Sequence, residues 1–96
     1  MGLMGYGVSV APNTSDVYAK VRATTSSGDI ATVRLFIVEA KDYEQMPNFV
    51  KDKIGKELDI IVSKDDLSFF DRDEVNILVS VIGDEKGQSY TARVKP

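Results

Sequence analysis

The stretch 17–40, VYAKVRATTSSGDIATVRLFIVEA, decides the fold class. Val17, Ala19, Val21 and Ala23 alternate with Tyr18, Lys20, Arg22 and Thr24, a period of two that belongs to a strand. Ala31, Val33, Leu35 and Ile37 then share one face of a second strand, and Thr32, Arg34, Phe36 and Val38 share the other. Between them Thr25-Ser26-Ser27-Gly28-Asp29 supplies the turn. Gly28 suits the left-handed position of a three-residue hairpin loop, because it has no Cβ to clash. With Thr25 opposite Asp29, Val21 faces Val33, Ala19 faces Leu35 and Val17 faces Ile37. On the other face Arg22 meets Thr32, Lys20 meets Arg34 and Tyr18 meets Phe36. A one-residue slip would put core residues opposite outward ones.

Downstream, Pro47 suits the start of a helix and Gly55 its end. Phe49, Val50 and Ile54 fall on one face of that helix, which predicts a short amphipathic element of about two turns. Leu58–Ser63 reads as a third strand with Leu58, Ile60 and Val62 inward. Ser63 is the natural cap of a second short helix, with Asp65 and Asp66 in its first turn and Leu67, Phe69 and Phe70 as anchors. Val75–Ile82 is a fourth strand and Ser89–Val94 a fifth, joined by a turn at Asp84-Glu85-Lys86-Gly87. Upstream, residues 1–15 read as an arm before a single domain over 16–96, with Val8 and Val10 able to add to a sheet edge. Gly5-Tyr6-Gly7 resembles a phosphate-loop fragment, but no strong strand precedes it and no helix pattern follows.

The resulting order, β-β-(α)-β-α-β-β, predicts a mainly β domain: a small five-stranded antiparallel barrel with OB-like order and short helices. The alternatives are a β-grasp sheet, crossed by the Pro47–Gly55 helix, and an SH3-like barrel.

Composition narrows the chemistry. The 96 residues contain no Cys, no His and no Trp. Disulfides, thiolate nucleophiles, Cys-ligated metals and His-based triads are therefore closed to this chain. Carboxylates, lysines and tyrosines remain for acid–base work and need strong tuning by their surroundings. The expectation is a domain that is not an enzyme and uses no cofactor. No apolar run approaches the roughly 20 residues of a membrane span, and the N-terminus lacks the pattern of a signal peptide, so a cytoplasmic setting is expected. Charge is evenly spread: 4 basic and 5 acidic residues over 1–48, 8 and 10 over 49–96, for a net −3.

Four groups of residues are candidates for function. Tyr18, Lys20, Arg22, Arg34 and Phe36 form the outward face of the hairpin, where rings stack bases and cations hold phosphates in single-strand binders. The same residues also suit a solvated sheet face with a Tyr–Phe cross-strand pair. Lys20 opposite Arg34 leans toward a bound anion, since facing like charges repel. Asp65, Asp66, Asp71, Asp73 and Glu74 form an acidic cluster whose spacing is not that of a calcium loop, and no metal is expected there. Lys51, Lys53, Lys56 and Lys64 are interleaved with acids and read as a mixed surface. The fifth strand, if it lies at an edge, can accept a partner strand. Together these predict a non-catalytic binding module. Its partner is expected to be a protein or a second copy, met through the sheet face or edge. The alternative is single-stranded DNA or RNA on the aromatic-cationic hairpin face, with no membrane role.

Overall fold

The computed structural model describes residues 13–84 and 87–95. Five strands, β1 Ser15–Ser27, β2 Ile30–Asp42, β3 Glu57–Ser63, β4 Glu74–Asp84 and β5 Gly87–Val94, close into a barrel in the order β1-β2-β3-β5-β4. With a short helix between β3 and β4, this is the OB arrangement. The barrel is mixed rather than wholly antiparallel. Every step round the ring is antiparallel except β3 to β5, which is parallel. The reason is arithmetical: strand directions can alternate all the way round a closed ring only when the number of strands is even. Gly5-Tyr6-Gly7, Val8 and Val10, and residues 85–86 of the expected Asp84–Gly87 turn, lie outside the described residues.

The first hairpin has the expected strands and a different register. Its turn is two residues long, with Ser27 opposite Ile30 and Gly28 at φ 65°. Two bulges then adjust the pairing. Arg22 is the extra residue between Val21↔Leu35 and Ala23↔Arg34, and Val38 is the extra residue between Ala19↔Ile37 and Tyr18↔Glu39. The inward set survives because the bulges restore it: Val17, Ala19, Leu35 and Ile37 are fully buried, and Ala40 takes the place of Glu39 as the next inward residue of β2. Bulges also bend the ribbon, which lets β1 pair with β2 along its length and with β4 over Ser15–Lys20.

The Pro47–Gly55 helix is not formed. A single 3₁₀ turn, Lys51–Lys53, stands in its place, so the β-grasp alternative has no crossing helix. The backbone there has better partners. Gly55 N–H donates to the Ile37 carbonyl at 2.7 Å and Ile37 N–H to the Lys56 carbonyl at 3.0 Å, prolonging the β2–β3 ladder. The Asn48 side chain accepts from Val50 N–H at 3.1 Å, a local bond that competes with helix. Val50 alone turns inward and fills one barrel end, while Phe49 and Ile54 stay exposed.

The other end is closed by a 3₁₀ helix, Lys64–Phe70, capped as expected by Ser63 Oγ, which accepts from Asp65 N–H at 3.2 Å. Phe70 is 2% exposed and carries Phe69 edge-on at 5.5 Å. The tip of the first hairpin is tied to this helix by Lys64 N–H donating to the Asp29 carbonyl at 3.1 Å. Asn13, Thr14 and Ser15 belong to the barrel and not to an arm ending at residue 15. All three are buried, and the Asn13 amide exchanges two hydrogen bonds with the backbone of Val81, at 3.0 and 2.9 Å.

Candidate functional site

Strand register assembles the outward face of the first hairpin. Across four strands run Glu74, Lys20, Phe36 and Glu57, each directly opposite the next. In the neighbouring rows Arg34 faces Asp59, and Thr25 faces Thr32. The expected Lys20–Arg34 juxtaposition is absent, because the two-residue turn and the Arg22 bulge move Ala23 opposite Arg34. Tyr18 likewise faces Glu39 rather than Phe36. No like-charge clash remains to call for an anion.

Each aromatic and cation of this face has a protein partner or neighbour of complementary character. Arg34 forks onto Asp59, with Nε and Nη2 donating to the two carboxylate oxygens at 2.9 and 3.3 Å. That bidentate contact holds the Asp59 carboxyl below its ordinary range and raises the Arg34 guanidinium further. Arg22, made to stand off the strand by its bulge, lies over the Phe36 ring at 5.2 Å from its centroid and 3.9 Å from Glu57. The Tyr18 hydroxyl donates to Glu74, and this bond holds the phenol protonated to higher pH than usual. Lys20 faces Glu74 across the β1–β4 ladder and makes no ion pair among the described residues.

Three cations, Lys20, Arg22 and Arg34, and three carboxylates, Glu57, Asp59 and Glu74, thus surround a half-buried Phe36, with both arginines ion-paired. Sequence reasoning found the cations and rings on β1 and β2. It missed the carboxylates of β3 and β4, whose positions depend on long-range register, and the hydroxyls beside them. A hollow of about 350 Å³ opens here, lined by Ala23, Thr25, Thr32, Arg34 and Asp59.

The other candidates disperse. Asp65 serves the start of the Lys64–Phe70 helix, the Asp73 carbonyl accepts from Val21 N–H at 2.9 Å, and Glu74 holds Tyr18. Among the described residues no three carboxylates converge as a metal ion would require. Arg72 lies over Phe69 at 4.4 Å. No helix among the described residues is long and apolar enough to cross a membrane.

The chain is a small closed barrel of OB order with a charge-matched aromatic face on β1–β3. No family model matches it, and neither a curated protein nor a solved structure does.

Proposed function

We propose that this domain is a non-catalytic interaction module that binds another protein through the outward face of its first hairpin. One observation carries the reading: both arginines that flank Phe36 are paired with carboxylates, Arg22 with Glu57 and Arg34 with Asp59, and Lys20 stands opposite Glu74. A face built for a polyanion keeps its lysines and arginines free to replace counterions. A face built for protein combines a ring, an arginine and hydroxyls with little net charge, the mixture found in the cores of protein interfaces. Phe36 under Arg22 is the expected anchor, and the hollow between Thr25, Thr32 and Arg34 suits polar groups of a partner. The absence of His and Cys supports the non-catalytic part.

The test is site-specific photocrosslinking in the source cell, with the crosslinker at Thr32 on this face or at Ser89 on β5. A discrete protein adduct from position 32, lost in Phe36→Ala and absent from position 89, supports the reading. Adducts to nucleic acid from position 32, or an adduct indifferent to Phe36→Ala, would sink it.

A further inference from the structure

Strand β1 outruns its neighbour on one side. It pairs with β2 over all of Ser15–Ser27, but with β4 only from Ser15 to Lys20. Val21 N–H still reaches the Asp73 carbonyl at 2.9 Å, and the Arg22 bulge ends the contact. From Arg22 to Ser27 no described strand lies on that side, and every residue is exposed. A hollow of about 700 Å³ opens beside this edge, between Val21–Thr24 and the wall formed by Leu67, Phe70 and Arg72. Strand β5 offers no comparable edge, since it lies between β4 and β3.

The register shows which backbone groups face the open side. The two-residue turn makes Ser27 and Ile30 a hydrogen-bonded pair, and such pairs alternate along an antiparallel ladder. Ala23 and Thr25 therefore bond to β2, whereas Thr24 and Ser26 aim N–H and C=O outward. Val21 belongs to the same set across the bulge, and its N–H does point outward, to Asp73.

Only another extended backbone matches such an edge, and this one is complementary to itself. Residues 23–27, ATTSS, hold neither a charge nor a proline, devices that keep edges apart. Laid antiparallel on a second copy, with Thr25 on the two-fold axis, Thr24 meets the partner's Ser26 and exchanges both backbone bonds with it. Ala23 meets the partner's Ser27, so every facing side chain is small. Arg22 comes opposite the partner's Gly28, beside the partner's Asp29. Asp29 makes no ion pair among the described residues, so the charges brought together at each end of the seam are opposite in sign.

We propose that two copies of this chain associate through these edges, joining β1 to β1 in one continuous sheet. The interface is isologous, with its two-fold axis perpendicular to the sheet. Both Phe36 faces then lie on the same side of that sheet, where a partner with two matching sites meets both. The pairing itself does not depend on what the Phe36 face binds.

The test is sedimentation equilibrium of the full chain from about 10 µM to about 2 mM. The seam is shorter than a standard interface, so a weak dimer is expected, with Kd about 100–1,000 µM. Over the same range, amide exchange at Thr24 and Ser26 should slow about threefold, while Thr25, already bonded to β2, changes far less. Thr25→Lys sets two lysines face to face on the axis, and Thr25→Glu two carboxylates. Each variant alone should dimerise about fivefold more weakly, and an equal mixture of the two should recover the affinity of the natural chain. A natural chain that stays monomeric at 2 mM, a dimer indifferent to Thr25→Lys, or a mixture no tighter than either variant alone would each overturn the proposal. So would slowing of amides elsewhere with Thr24 and Ser26 unchanged, a result read on the natural chain whether or not the variants fold.

Discussion

Asn48 is a small residue with a large expected effect. Its Oδ1 accepts from Ser15 Oγ at 2.6 Å and from Val50 N–H at 3.1 Å, while its Nδ2 donates to the Ala40 carbonyl at 3.2 Å and to Asp42 at 3.3 Å. It thereby pins the start of β1, the end of β2 and the loop whose Val50 fills the barrel end. In Asn48→Ala the exposed Asp42 contact contributes little. The other three bonds are part-buried, each worth about 0.5–1.5 kcal/mol net. The larger penalty is the Ser15 hydroxyl, which is 0% exposed and is left without its acceptor, at about 1–3 kcal/mol. Allowing for partial relaxation, Asn48→Ala should cost about 2–4 kcal/mol. Ser15→Ala removes the hydroxyl together with its need for a partner, so it should cost only about 1 kcal/mol. The double variant should then be about 1 kcal/mol or more better than the sum of the two, since nothing is stranded. Urea unfolding at neutral pH measures all three, with midpoints falling and the m-value unchanged. A cost under about 1 kcal/mol for Asn48→Ala, or strict additivity in the double variant, would refute the reasoning.

Other expectations follow from the same structure. Phe70→Ala should cost about 3–5 kcal/mol and the half-buried Phe69→Ala clearly less, both by denaturant unfolding, because only the first opens a cavity at the barrel end. Glu44 and Gln45 sit at φ 48° and 64° in the turn closed by Met46 N–H to the Tyr43 carbonyl, so replacing the pair with Asn-Gly should stabilise by about 1–2 kcal/mol, read as a higher thermal midpoint. Burial pushes the Asp16 carboxyl up, but hydrogen bonds from Lys95 and Asn76, with the charges of Lys95 and Lys41, outweigh it and hold the group below 3.8. A depressed carboxyl stabilises the fold above its unfolded value and loses that contribution as pH falls through the folded one. Asp16→Asn should therefore be less stable than the natural chain at pH 5 by at most about 1 kcal/mol, with the difference vanishing below the folded value.

What the sequence disclosed was local and periodic. Alternation in 17–40 placed both strands of the hairpin, and Ser63 announced the helix that carries Phe70. The register was less legible, because Arg22 and Val38 continue the alternation by eye while the chain spends each of them as a bulge. Asn48 and Ser15 gave no signal at all: their bond joins residues 33 positions apart and depends on the closed ring. The functional face was half legible for the same reason. Its cations and rings lie within one hairpin, whereas the carboxylates that neutralise them arrive on β3 and β4 only when the barrel closes. A hairpin read alone looks like a site for a polyanion, and the closed barrel makes it a face of balanced charge.

Charge balance on that face is most directly tested by fluorescence anisotropy of a labelled oligothymidine at low salt. The natural chain is expected to show no binding at protein concentrations up to about 100 µM, a range in which non-specific nucleic-acid binders saturate. The Glu57→Gln, Asp59→Asn double variant, which frees Arg22 and Arg34, should bind measurably in the same buffer. Tight binding by the natural chain, with a logarithmic salt slope near about −2 as three free cations on a single strand would give, would contradict the account.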